Sequence, residues 1–363
     1  MRAPIERVEV AAYRIPTDGP ESDGTIAWDA TTMVLVTLQA GGMEGIGHTY
    51  AHEAAGVIVK QTLAPLLLGR DALDLPAEWE AMVRSVRNLG RPGEASMAIA
   101  AVDMALWDLK AKLLGLSVVS LLGAARERIP VYGSGGFTSY PPERLERQLA
   151  DWVAEGIPMV KMKVGTDPAR DLSRVRSARR AIGEEAQLFV DANGAYARKE
   201  ALAFAEAFAE YRVTWFEEPV SSDDLEGLRL LRDRAPAGMA IAAGEYGFDP
   251  PYFRRMLEAG AVDVLQADAT RCMGITGFLK AAALAEAHMI PLSAHTAPSQ
   301  HAHVCCAVPG VRHLEYFYDH ARIEHMLFDG ALSPVNGTLE PDRERPGFGL
   351  QFKRADADRY AIV

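Results

Sequence analysis

PMVKMKVG (158–165), QLFVDANG (187–194) and VTWFEEPV (213–220) are the stretches on which the fold turns. Each is a short apolar run ending in polar or charged side chains. A longer stretch rich in Ala, Leu and Arg follows each, with apolar residues at three- and four-residue spacing, the pattern of a strand feeding a helix. The same unit recurs on both sides, in IPVYGSGG (129–136), MAIAAGEY (239–246), VDVLQAD (262–268), IPLSAHT (290–296) and RHLEYFY (312–318). Eight such runs with seven helical stretches between them read as successive parallel βα units. Their number favours a closed barrel over an open sheet, which would need a reversal of strand order that nothing marks.

Residues 1–125 follow another pattern. IERVEVAAYRI (5–15), TTMVLVTLQA (31–40) and GMEGIGHTY (42–50) read as an antiparallel meander, with helical segments at about 51–69, 77–88 and 95–115. The sequence therefore predicts an α+β capping domain over 1–125, a barrel over 126–325, and a segment 326–363 that returns to the first domain. The polar stretch TDGPESDGTIAWDA (17–30) is long for a hairpin loop, and reads either as a disordered surface loop or as a lid over the barrel mouth.

With 38 Lys+Arg against 49 Asp+Glu, the 363-residue chain has a formal net charge of −11. That balance excludes a basic nucleic-acid footprint. Three cysteines without a CxxC pair fit a reducing compartment, and no apolar run suggests a signal peptide or a membrane span, so a cytoplasmic protein is expected. Gly-rich GGMEGIG lacks the helix start of a dinucleotide fingerprint. In HTAPSQHAHVCC, His301 and Cys305 share one helix face and His303 and Cys306 another. A helix packed on the barrel is therefore expected there, not a soft-metal site.

The acids that matter are found by position. The strand ends of a βα barrel converge on one mouth, where catalytic groups gather. Asp191, Glu217 and Glu245 end the third, fourth and fifth runs, and three adjacent carboxylates would repel unless a divalent cation joined them. An all-oxygen donor set suits Mg²⁺ better than Zn²⁺. Lys161 and Lys163, two apart on one strand, share a face and should depress each other's pKa, as the cation would, making a general base. Asp268 and His295, on the sixth and seventh runs, read as a second acid/base dyad. Glu315 on the eighth, if protonated, could donate to a developing oxyanion. Asn193 and Ser134, also at strand ends, are assigned to substrate contact. This constellation suits removal of the proton α to a substrate carboxylate.

At these residues the chain resembles the enolase superfamily, in its mandelate racemase-like subgroup. The motifs are VKMKVG, FVDANGAY, WFEEPV, AAGEY, LQADATRCMGITG, LSAHTAP and HLEYF, in family order. The resemblance implies a capping domain over a modified (β/α)7β barrel and Mg²⁺ on Asp191, Glu217 and Glu245, the first glutamate of WFEEPV being the ligand. It makes Lys163 the base, Lys161 its tuning and carboxylate-positioning neighbour, His295 with Asp268 the opposing acid/base, and Glu315 a carboxylate-binding acid. It further implies a homo-oligomer acting on a small carboxylate, with neither nucleic acid nor membrane as partner. Dehydration of an acid sugar is the leading reaction and racemisation of a 2-hydroxy acid the alternative. Asp268, where muconate-lactonising relatives carry lysine, argues against the cycloisomerase and dipeptide-epimerase branches. The polar lid favours a polyhydroxylated substrate. His48, Tyr50, Arg91, Tyr246, Arg271 and His320 are candidate specificity contacts that no motif anchors.

Overall fold

The structure, a computed structural model, describes residues 2–362. Strands β1 (Arg7–Ser22), β2 (Ala27–Ala40) and β3 (Met43–Tyr50) form an antiparallel sheet in sequential order. The helix Glu94–Leu113 packs against β2 and β3. Its buried alanines Ala98, Ala101 and Ala105 allow that close approach, and Val34, Val36 and Leu38 of β2 bury in the same cluster.

Eight parallel strands follow: β4 (Ile129–Gly135), β5 (Met159–Lys163), β6 (Gln187–Asp191), β7 (Val213–Glu217), β8 (Ala240–Ala243), β9 (Val264–Ala267), β10 (Leu292–Ala294) and β11 (Val311–Phe317). They neighbour one another in chain order, and pairing of Leu314 with Val131 through Phe317 with Ser134 closes β11 onto β4. A helix lies between each successive pair, so the architecture is a closed (β/α)7β barrel with an antiparallel capping sheet, as the repeated runs predict. The short strand Thr338–Leu339 pairs antiparallel with Ile129–Pro130, and the Ile362 amide donates to the Ala12 carbonyl at 2.9 Å. Among the described residues no helix is long and apolar enough to cross a membrane.

The two-residue side-chain period of a strand sorts the barrel wall into faces. Val160, Met162, Val190, Phe216, Ile241 and Leu265 point outward and pack with the helices in the largest core cluster. Inside, Tyr132, Met159, Phe189, Trp215, Ala242 and Val264 form a separate apolar layer. The next inward positions, two residues on, are Ser134, Lys161, Asp191, Glu217, Gly244 and Gln266. An apolar floor therefore sits directly under the ionisable residues.

The disordered-loop expectation for segment 17–30 is overturned, and the segment reaches over the barrel mouth as its other reading has it. It extends β1 and β2 into a long hairpin, with Glu21 opposite Trp28 and Ser22 opposite Ala27 after an irregularity beyond Pro16. The expectation failed because the polar run has few apolar residues, whereas its backbone pairs with itself and its side chains find partners elsewhere. Trp28 Nε1 donates to Glu21 at 2.9 Å, and Ser22 and Thr138 share a 2.6 Å hydrogen bond. At the tip, a Cβ on Gly24 would overlap the carbonyls of Val164 and Ala192, the residues just after Lys163 and Asp191. Glycine lets the tip seat on the ends of β5 and β6.

The cap also grips the turn after β9. Thr49 Oγ1 donates to the Thr270 carbonyl at 2.6 Å and Trp79 Nε1 to the Met273 carbonyl at 2.9 Å. Asp103, fully buried on the helix Glu94–Leu113, accepts from the Thr276 amide at 3.0 Å and its hydroxyl at 2.7 Å, at the start of the helix Gly274–Ala287. Gly274 has φ +86°, and a Cβ there would overlap the Asp103 carboxylate. Replacing Gly274 with Ala is expected to destabilise the fold by about 1–3 kcal/mol or more, measured by denaturant unfolding. Burial raises the Asp103 pKa to about 7, against the lowering effect of the Thr276 hydrogen bonds. A carboxyl whose pKa is raised on folding contributes more stability when protonated, so its contribution falls as pH rises between about 4 and 7. The melting-temperature difference between the native chain and Asp103→Asn should shrink from pH 5 to pH 8; a difference that grows would contradict this assignment.

Candidate active site

Period-2 alternation along three neighbouring strands aims Lys161, Lys163, Asp191 and Glu217 into the mouth above the apolar floor. Glu245 lies two residues past the end of β8, and one carboxylate oxygen from each of Asp191, Glu217 and Glu245 lies within 4.8 Å of the others. All three are buried. At that spacing each like-charge pair repels by at least about 3 kcal/mol at an effective dielectric of about 20. Burial, then Asp191, raise the Glu217 carboxyl to about 8. Trp215, two residues earlier on the same face, donates from Nε1 to Glu217 Oε2 at 2.8 Å and fixes its rotamer. The Asn193 amide does the same for Asp191 Oδ1 at 2.9 Å. Asn193 Oδ1 is a buried acceptor without a hydrogen-bond donor among the described residues, and Glu245 Oε2 has only His295 Nε2 facing it, at 3.2 Å. An all-oxygen set of converging carboxylates with unsatisfied lone pairs fits a hard divalent cation. Of the two glutamates in WFEEPV, Glu217 belongs to this group. Glu218 is also buried, and desolvation with Glu245 nearby pushes its pKa well up.

The lysines thread between these acids. Lys161 Nζ is 2.5 Å from Glu217 Oε1, 2.9 Å from Glu315 Oε1 and 3.4 Å from Asp191 Oδ2, and Lys163 pairs with Asp191. Burial works against both ammonium charges, but the carboxylates outweigh it and hold both lysines above their ordinary pKa. This is the reverse of the depression the sequence predicts: at Lys163 the pull of Asp191 outweighs the push of Lys161, and at Lys161 Glu217 and Glu315 dominate, so that a cation among the acids is what would cancel their pull. Glu315 differs from expectation for the same reason. Burial raises its pKa, but Lys161 and His295 more than offset that and hold it low, so the ammonium of Lys161, not a protonated Glu315, is the hydrogen-bond donor there.

Across the mouth, His295 Nδ1 lies 2.8 Å from Asp268 Oδ2, and its Nε2 is 3.2 Å from Glu245 Oε2 and 3.6 Å from Glu315 Oε2. Burial opposes the imidazolium, yet Glu245 and Glu315 raise its pKa to about 9. Asp268 is itself fixed by the Thr270 amide and hydroxyl, both at 2.7 Å. Sequence reading missed Thr270 and Thr296, whose amide is 3.3 Å from Glu315 Oε2. Neither has a sequence signal beyond lying one or two residues past a strand-end acid or histidine.

A cavity of about 370 Å³ opens above this cluster, with Lys163, Asn193, Glu245, His295 and Glu315 on its wall. Of the unanchored candidates, Tyr50, Tyr246, Arg271 and His320 also line it. Arg271 reaches the Glu245 carbonyl at 3.2 Å and carboxylate at 3.4 Å. His48 does not line it: it is buried behind Tyr50 and stacked on Phe328. Arg91 is half exposed and faces Asp249 at 3.9 Å, away from the cavity. Ser134 is fully buried, level with Lys161 on the neighbouring strand, and does not line the cavity, so its position does not support the expected substrate contact. The hairpin, expected to offer a polar surface, presents Ile26 and Trp28 to the cavity beside Asp23. His301 and His303 lie in a buried helix, where they accept from the Ala269 amide at 2.8 Å and the Val119 amide at 3.2 Å.

These features are matched in known proteins. Residues 8–123 match the mandelate racemase / muconate lactonizing enzyme N-terminal domain, and residues 144–357 the enolase C-terminal domain-like family. The chain is 33% identical to the 3,6-anhydro-alpha-L-galactonate cycloisomerase of Streptomyces coelicolor, over 96% of this chain and 98% of that one. It is 32% identical to the L-talarate/galactarate dehydratase of Salmonella typhimurium, over 95% and 89%. A mandelate racemase/muconate lactonizing enzyme-like protein from Rubrobacter xylanophilus superposes with a TM-score of 0.97 at 56% identity, covering 99% of this chain and all of that one. A racemase from Streptomyces coelicolor, solved with bound magnesium, does so with 0.93 at 31%, covering 99% and 100%. The argument from Asp268 against cycloisomerases thus does not extend to every relative so named. By both its halves, the chain belongs to the mandelate racemase / muconate lactonizing enzyme family of enolase-like proteins.

Proposed function

We propose that the chain is a magnesium-dependent hydro-lyase that removes the proton α to the carboxylate of an acid sugar and expels the β-hydroxyl, giving a 2-keto-3-deoxy acid. The observation that carries this reading is the buried convergence of Asp191, Glu217 and Glu245, flanked by Lys163 and by the His295–Asp268 dyad at one cavity. Asp191, Glu217 and Glu245 would hold the ion. Bound there, magnesium supplies the charge that neutralises the three acids, anchors the substrate carboxylate and stabilises an enediolate.

Lys163 Nζ takes the α-proton, and the C–H electron pair passes into the enediolate. Lys161, surrounded by Glu217, Glu315 and Asp191, stays charged and donates to the substrate carboxylate. As the enediolate collapses, the β C–O bond breaks and His295 Nε2 delivers its proton to the departing oxygen, forming water; the enol product then tautomerises to the keto acid. A cavity-wall histidine with Nδ1 pinned by Asp268, which leaves Nε2 to carry the transferable proton, suits the acid's part. Asn193, on the wall beside Lys163, is assigned to a substrate hydroxyl. Racemisation is the second reading. It is favoured by the presence of proton-transfer groups from two strands on one cavity, and it would return the proton to Cα instead of losing the hydroxyl.

Added Mg²⁺ is expected to raise the melting temperature, by about 2.7 kcal/mol of stabilisation at a hundredfold excess over Kd, and chelation should reverse it. Glu217→Gln should lose most of this shift and Glu218→Gln should keep it; the opposite order would move the ligand role to Glu218. In D₂O with Mg²⁺ and a panel of acid sugars, the native chain should exchange the α-proton and release a 2-keto acid detected as its semicarbazone. Lys163→Ala should abolish both, while His295→Asn should lose keto-acid release by at least about 100-fold. Exchange without keto acid in the native protein would favour racemisation, and full turnover by Lys163→Ala would remove it as the base.

A further inference from the structure

The cavity wall has two halves of different charge. The barrel half carries Lys163, Arg271 and His295, and each already has acidic partners: Lys163 pairs with Asp191, Arg271 with Glu245, and His295 with Asp268 and Glu245. The cap half, from the β1–β2 hairpin and the end of β3, contains no lysine or arginine among the described residues. Its ionisable side chains are Asp23, Tyr50 and His52, and His52 Nε2 lies 3.3 Å from the Glu53 carboxylate. Asp23 is buried and held rigidly: Oδ1 accepts from the Thr25 amide at 2.6 Å and the Ile26 amide at 2.8 Å, capping the hairpin tip. Its Oδ2 makes no hydrogen bond among the described residues. Beside it the hairpin offers Ile26, Trp28 and Thr32.

We propose that the site selects a polyhydroxy monocarboxylic acid over the corresponding diacid. This rests on the acid-sugar reading above and narrows it. One carboxylate of the substrate is bound at the strand ends, so the far end of the chain must meet the cap half. A second carboxylate there would shed water against Ile26 and Trp28, find no free cation and face the Asp23 carboxylate. A terminal hydroxymethyl or methyl group meets none of these obstacles: its C–H faces pack on the Trp28 ring, and a hydroxyl donates to Asp23 Oδ2. The preference is thus written as repulsion of the wrong substrate as much as attraction of the right one. It sets this chain apart from a relative whose name gives two diacids, talarate and galactarate.

The test uses substrate pairs that differ only in oxidation of the last carbon: D-gluconate with D-glucarate, and D-galactonate with galactarate. Calorimetric titration of the Mg²⁺-loaded Lys163→Ala protein reads binding without turnover. The monoacid of at least one pair is expected to bind tenfold or more tightly than its diacid. Asp23→Asn in the same background, which keeps the Oδ1 cap, should narrow that gap, and Ile26→Lys should shift it tenfold or more toward the diacid. A diacid that binds as well as or better than its monoacid in both pairs overturns the inference, and so does an unchanged gap in both variants. If neither member of either pair binds, both this inference and the acid-sugar reading fall. The two are otherwise separable: keto-acid release from diacids in preference to monoacids leaves dehydration standing and removes the monoacid preference. Tighter monoacid binding without α-proton exchange in the native protein does the reverse.

Discussion

Mutual repulsion among Asp191, Glu217 and Glu245 is the constraint around which the molecule is organised. Carboxylates this close and this deeply buried are unfavourable by several kcal/mol, so the surrounding chain is committed to offsetting them. Lys161 sits within 3.4 Å of three acids, Trp215 and the Asn193 amide donate to two of the carboxylates, and Arg271 reaches the third. These partners reduce the cost without removing it. The six acids at the mouth, Asp191, Glu217, Glu218, Glu245, Asp268 and Glu315, outnumber the cations Lys161, Lys163 and Arg271 together with His295, and the crowding shows as raised pKa values at Glu217 and Glu218. Such a surplus in a water-poor place stores affinity for a dication, and it also explains why lysines that would serve as bases in that ion's presence are held protonated by the acids alone.

Holding such charge in register requires a rigid floor. The layer of Tyr132, Phe189 and Trp215 lies one inward position below the charged residues, and the ring of His313 packs at 5.0 Å from Tyr132 and 5.2 Å from Trp215. Burial drives the His313 pKa down to about 3, so it adds no charge beneath Lys161. Slippage of any strand by one residue would exchange its charged face with the apolar helix-facing one, which the outer core strongly disfavours. The register that buries Val160 and Met162 outside is the register that places Lys161 and Lys163 inside.

The cap contributes position more than chemistry. Its helices and β3 hold the turn that carries Asp268, Thr270 and Arg271, so the dyad on β9 and β10 depends on contacts with residues more than 150 positions earlier in the chain. The hairpin tip, seated on the ends of β5 and β6 through Gly24, narrows the mouth and brings Asp23 and Trp28 to the substrate side.

The barrel and its acid–lysine–histidine ring were legible in the sequence because strand periodicity is local. An apolar run of period two ending in Asp191, Glu217 or Lys163 states both the strand and the direction of its last side chain. The same locality explains the misreadings. Ser134 lies at a strand end like the others but does not reach the cavity wall, Arg91 is carried away by the path of its loop, and the 17–30 hairpin is stabilised by partners more than 100 residues distant, such as Thr138. The protonation of the lysines and Glu315, the alignment of His295 and the charge of the cap-side wall depend on distances across the barrel and between cap and barrel. The sequence by itself determined which residues reach the mouth; only the tertiary structure decided which charges meet there, because electrostatic energy depends on separation and burial, and neither is encoded in local spacing.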